Sequence, residues 1–206
     1  SRGLGDVYKR QADDEPADII DEFIKACSGA ITEVGGIYKM RAGGPGLPVM
    51  FFTDADFLVS QPSDYDPFPG LNESFNGIFA SFPHPEEEWN THDAPSIIDA
   101  DYLEQDGGIE IFTNVALPAV PYPVQVQRLM RAWLDDDRRW RRHNSSLGPY
   151  AFVLEPMDVV EWTSARNGYE DKLFEISAVE NNLITATTTA AMREVDPDDY
   201  DWNDSQ

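Results

Sequence analysis

The run Pro123-Val-Gln-Val-Gln-Arg-Leu-Met-Arg-Ala-Trp-Leu-Asp-Asp-Asp-Arg-Arg-Trp-Arg-Arg142 decides how the rest of this chain is read. Val126, Leu129, Met130, Trp133 and Trp140 recur at helical spacing, with charged residues between them, so the run predicts one amphipathic helix over Pro123–Arg142. A compact β segment follows. It reads Gly148-Pro-Tyr-Ala-Phe-Val-Leu-Glu-Pro-Met-Asp-Val-Val-Glu-Trp162, then Lys172-Leu-Phe-Glu-Ile-Ser-Ala-Val-Glu180, then Leu183-Ile-Thr-Ala-Thr-Thr-Thr-Ala190. Strands are expected over 150–154, 159–163, 172–179 and 183–191. Their turns fall at Glu155–Asp158, Asn167-Gly168 and Asn181-Asn182.

Upstream, Ile19, Ile20, Phe23, Ile24 and Cys27 line one face of a short helix over 18–28, opened by Pro16 and stopped by Gly29. Residues 30–41 predict a hairpin around Gly35-Gly36, because a two-residue loop of this kind needs positive φ. A third strand is expected over 47–53. Residues 83–106 are polar and read as an exposed, irregular excursion with room for one short strand, and 108–114 alternate as a strand.

In order, these elements resemble the phage tail protein family whose domain occurs in tip attachment (host-specificity) proteins of long-tailed phages and gene-transfer-agent-like particles. The resemblance rests on Gly35 to Gly43, the Thr53 to Asp56 step and Glu73-Ser-Phe-Asn-Gly-Ile-Phe-Ala-Ser-Phe82. It continues through Asp158-Val-Val160, Gly168-Tyr-Glu-Asp-Lys-Leu-Phe174 and the closing Arg193-Glu-Val-Asp-Pro-Asp-Asp-Tyr200. It implies an α+β chain: a mixed helix and antiparallel-sheet hub domain over 12–143, then a small β-barrel-like subdomain over 144–206. It also implies a homo-oligomer, a ring of three at the tail tip, beside other tail proteins, with DNA passing through the lumen. The expected place is the virion, after synthesis in the bacterial host cytoplasm.

Residues 1–11 have no apolar period and read as the translation of a sequencing adapter foreign to the fold. On that reading the native sequence begins near Ala12, without an initiator Met, as an internal piece of something longer. The stretch carries Arg2, Lys9, Arg10 and Asp6, so without it the net charge of −23 becomes −25. The remaining length suits one or two domains, and 41% hydrophobic residues provide for a real core.

So acidic a chain does not hold nucleic acid, whose binding depends on Lys and Arg releasing counterions from phosphate. Cys27 is the single cysteine, which excludes a disulfide framework, and it reads as a small buried apolar residue. No apolar run is long enough to span a membrane.

No cofactor or metal is expected. His84, His92 and His143 are too scattered for zinc. Asp196–Asp204 has a calcium-loop composition but lacks the glycine and the bidentate glutamate of an EF-hand. No nucleophile elbow, phosphate loop or dinucleotide fingerprint occurs, so no catalytic residue is assigned. Asp135–Asp137 lie at helical ion-pair spacing from Arg138-Arg139 and Arg141-Arg142, which suggests a self-neutralised face. Trp133 and Leu134 are adjacent and cannot share one narrow stripe. One large apolar side chain is left near the rim, and together with the ring of three that the resemblance implies, this makes Trp133, Leu134, Arg138, Arg139 and Arg142 the candidate subunit interface. The rival reading is a carbohydrate-binding or glycoside hydrolase module, which needs Trp89, Trp133 and Trp140 open on one platform.

Overall fold

The structure is a computed structural model, and it describes residues 15–68, 70 and 74–201. The expectation for residues 1–11 and the Glu73 of the 73–82 motif lie outside these residues, as does Trp202 to Asp204 of the acidic tail.

The chain opens with α1 (Pro16–Ala26), started by proline in its first turn. It presents no buried side chain; Ile20 and Phe23 stay exposed, and Cys27 beyond it is not in the core. β1 (Ala30–Val34) and β2 (Ile37–Arg41) form the expected hairpin, with Gly35 at φ 60° and Gly36 at φ 83°. Only residues tolerant of positive φ fit both turn positions.

Six strands build the larger sheet: β3 (Pro48–Thr53), β4 (Asp64–Asp66), β9 (Arg142–Leu147), β10 (Val159–Ser164), β11 (Tyr169–Asn182) and β12 (Thr187–Glu194). The order is β3-β10-β11-β12-β9-β4, with β3 parallel to β10 and every other pair antiparallel. The sheet remains open, with β3 and β4 at its edges and no closed barrel. Phe52, Trp162, Tyr169, Phe174, Ile176 and Met192 form its core, filled out by Leu147, Ala151 and Leu154. The sheet thus combines two strands from before residue 143 with four from the C-terminal segment.

Four strands build the smaller sheet: β5 (Gly77–His84), β6 (Asn90–Asp93), β7 (Ile97–Ile98) and β8 (Phe112–Ala116). β5 is central, antiparallel to β6 and β7 and parallel to β8. Ile78, Ala80 and Phe82 alternate onto one face and meet Val126, Leu129 and Met130 of α3 (Pro123–Asp137). Period-two and period-3.6 patterns meet here in one core.

Several expectations need correction. The excursion over 83–106 is ordered: β5 runs through His84, β6 and β7 follow, and α2 (Ala100–Gln105) is capped by Asp99 accepting from Asp101 and Tyr102. Residues 150–154 are not a strand: 150–153 lie in a 3-10 helix, Pro149–Val153, which proline initiates after Gly148, and Leu154 follows it as the C-cap. β8 begins at Phe112, since Gly107 and Gly108 at φ 72° and 79° still belong to a turn. β11 runs through the expected Asn181-Asn182 turn. The chain reverses over 183–186, where Asn182 Oδ1 accepts from Ile184 and Thr185. The major helix ends at Asp137, five residues early, because β9 already pairs with β12 from Arg142.

Candidate assembly interface

The five residues singled out from sequence sit on α3, on the segment joining it to β9 and, for Arg142, on β9 itself, and the structure gives them different environments. Leu134 is fully buried. Trp133 packs at the margin of the α3 core, and its indole N–H donates to Ser28 Oγ at 3.0 Å. That bond ties α3 to the residue following α1. The pair therefore divides as adjacent helical positions must, but the rim residue is anchored within its own chain.

Arg138 is deeply enclosed. Its guanidinium donates to both carboxylate oxygens of Asp106, at 3.0 and 2.7 Å, and to the Phe75 carbonyl at 3.0 Å. The side chains of Arg138 and Asp106 are only 7% and 4% exposed. Arg138 also lies over the rings of Tyr102 and Trp140, at 4.6 and 5.2 Å. Hydrogen bonds from Arg138 hold the Asp106 carboxyl below the ordinary carboxylate range. Asn76 completes the cluster, donating to Asp106 at 2.8 Å and to the Ile109 carbonyl at 2.7 Å.

Arg139 grips the acidic C-terminal segment. It donates to both oxygens of Asp199, with Asp196 at 3.0 Å. Burial pushes the Asp199 carboxyl upward, with the Arg139 bonds opposing. Asp196 also caps the 3-10 helix Pro197–Tyr200. Two carboxylates of the segment with calcium-loop composition, Asp196 and Asp199, are thus engaged by an arginine, and Asp196 by a helix cap as well.

Arg142 is exposed on β9, opposite Asp66 on β4 and Arg193 on β12. There a cavity of about 540 Å³ is lined by Asp64, Asp66, Arg142, Asn144, Ser177 and Arg193, among others. Arg138, Arg139 and Arg142 therefore face three different regions and form no common patch.

The expected ion pairs within the helix are mostly replaced by long-range ones. Only Arg131 and Asp135 pair at helical spacing, at 2.8 Å. Arg131 also reaches Asp99 at 2.8 Å, and Tyr102 donates to Asp135 at 2.8 Å. Asp136 takes Arg193 at 2.6 Å, and Asp137 accepts from the Phe75 amide at 3.0 Å. Arg141 and Lys172 converge on Glu194; burial works to raise its carboxyl, yet the two cations hold it low. Asp99, Asp106, Glu194 and Asp199 are partners that sequence reasoning missed. Of these, only Asp99 had a local signal, as a helix cap three residues before Tyr102.

His143, read as one of three scattered histidines, is buried in an aromatic box. Tyr65 stacks on it at 4.4 Å, Trp162 meets it edge-on at 4.7 Å, and its Nε2 shares a hydrogen bond of 3.0 Å with Tyr169 Oη. Burial, with Arg141 adding to it, pushes its pKa down to about 4. The tryptophans do not form an open platform. Trp133 is tied to Ser28, Trp140 packs edge-on to Phe68, and Trp89 alone of the three is exposed. No helix among the described residues is long and apolar enough to cross a membrane.

Comparison with known proteins supplies the context for this junction. The family described as "Putative phage tail protein" matches residues 15–179. Baseplate hub protein pb3 of Escherichia phage T5 is 27% identical over 170 residues, covering 79% of this chain and 17% of its own. A chain in the virion of a native gene transfer agent particle superposes with a TM-score of 0.69 at 16% identity, over 90% of this chain and 40% of that one. The 43 kDa tail protein of prophage MuSo2 from Shewanella oneidensis gives 0.57 at 11% identity, over 91% and 56%. The chain spans little more than half of these relatives at most, and the two structural likenesses show a shared fold. With four-fifths of its length inside the family's boundaries, the chain belongs to this family of phage tail proteins.

Proposed function

We propose that the chain is a structural part of a phage tail tip or baseplate hub, where copies form a ring of three that closes the tail tube, supports host attachment and lets DNA pass. The observation that carries this reading is the match to a baseplate hub protein over 79% of the chain, together with a fold shared with a gene transfer agent particle. The role is mechanical and not catalytic.

Charge distribution supports it physically. At least eight of the twelve lysines and arginines among the described residues are held in ion pairs with the chain's own carboxylates. The excess carboxylates then dominate the outer field of a chain of net charge −23. Such a wall repels phosphate, so duplex DNA slides past without being held.

Gold labelling of an epitope-tagged chain in intact particles tests the placement: label is expected at the distal end of the tail. Label along the tube or on the capsid would refute the hub assignment. In a mobility-shift assay at low salt the purified chain should leave duplex DNA unshifted.

A further inference from the structure

The edges of the two sheets are protected unequally. β4 has three residues and carries Asp64 and Asp66 at its ends, and β6 ends in Asp93 with Glu86, Glu87 and Glu88 just before it. Short length and charge are the usual means of keeping a strand edge from recruiting another chain. β3 and β8 lack both. Among the described residues β3 pairs only with β10 and β8 only with β5.

The stretches that contain them, residues 42–53 and 111–127, hold no charged side chain in this strongly acidic chain. On β3, Met50 and Phe52 turn to the core, while Val49 and Phe51 are 58% and 68% exposed. On β8, Phe112, Asn114 and Ala116 are the exposed, alternate positions. The Phe112 ring lies over Gly77, where a Cβ would come within 2.2 Å of it, and meets Phe79 at 4.6 Å between centroids.

An open strand edge presents N–H and C=O groups that another strand can satisfy, and flanking side chains then select the register. In so acidic a chain, uncharged edges are where a second copy can approach with least repulsion. β3 and β8 belong to different sheets, so a contact between them joins unlike surfaces. Such a heterologous contact closes into a ring when the rotation permits.

We infer that β3 of one copy pairs with β8 of the next, joining the six-stranded sheet of one subunit to the smaller sheet of its neighbour. This deepens the ring reading above and rests on it. The alternative, β3 against β3 about a two-fold axis, would yield a dimer and leave β8 without a role.

Two variants of the full chain separate these arrangements. Val49→Glu with Phe51→Glu places carboxylates on the β3 edge, and Asn114→Glu with Ala116→Glu does so on β8. All four positions are exposed, and unchanged circular dichroism and melting confirm the fold. Size-exclusion chromatography with light scattering at moderate salt gives the readout. Each variant alone should associate at least a hundredfold more weakly than the wild type. An equimolar mixture should form a dimer and nothing larger, because each variant supplies the edge that the other lacks. Three results overturn the inference: a β8 variant that assembles like the wild type, a mixture that stays monomeric, or a wild type monomeric at every concentration and salt. None of these moves the gold label, so failure of the edge pairing and failure of the hub reading remain distinguishable.

Discussion

Arg138→Met removes a guanidinium and keeps a side chain of similar length, leaving Asp106 with only its bond from Asn76. Both partners of the broken pair are more than nine-tenths enclosed, and the Phe75 carbonyl loses a donor as well. Removing one member of a buried pair costs about 3–5 kcal/mol, chiefly from the stranded charge. Replacing both with apolar groups is often near neutral, so Arg138→Met with Asp106→Leu should recover most of the loss and stay within ~2 kcal/mol of the wild type. The pH dependence has a definite sign. Without its cation the Asp106 carboxyl is no longer held low, so the single variant's deficit should be largest near pH 7 and shrink toward pH 4. Urea unfolding followed by tryptophan fluorescence at both pH values measures this. A single variant within ~1 kcal/mol of the wild type at pH 7 would show that the Arg138–Asp106 pair does not hold this junction together.

Other outcomes can be read in the same assay. His143 has a pKa of about 4 when folded against an ordinary 6.5, so its contribution is whole above pH 6.5 and is lost as pH falls through that window toward 4. The difference corresponds to about 3 kcal/mol. His143→Gln should flatten that part of the stability curve, and an unchanged slope would argue against a buried neutral imidazole. Gly77→Ala drives a methyl into the Phe112 ring and should cost about 1–3 kcal/mol, partly restored by Phe112→Ala; equal stability would mean that the ring swings aside freely.

Features set by local sequence are legible in it. The Gly35-Gly36 hairpin, the buried stripe of α3 and the apolar run of β10 each carry their own turn or period. Local pattern and structure part where a distant partner decides. Trp140 fits the helical period, yet β9 pairing ends the helix before it. The Asp135–Arg139 cluster has ideal spacing for local pairs, but Arg138 and Arg139 find Asp106 and Asp199, 32 and 60 positions away, in more enclosed sites. Nor does any sequence period announce that β3 joins β10 in parallel across more than a hundred residues. The family resemblance carried the fold class where spacing could not.

That parallel pairing has a consequence for how the molecule is made. α1 and the β1–β2 hairpin take their backbone hydrogen bonds from sequence neighbours and can begin to form as soon as they leave the ribosome. β3 and β4 cannot: their partners β10 and β9 are synthesised later, so the six-stranded sheet closes only after residues 187–194 have been made. High contact order of this kind slows folding and leaves intermediates exposed. Throughout that wait Val49, Met50, Phe51 and Phe52 form an apolar strand without a mate. The dense negative charge on the nascent chain would then act as its chaperone, holding neighbouring polypeptides apart until the late strands arrive.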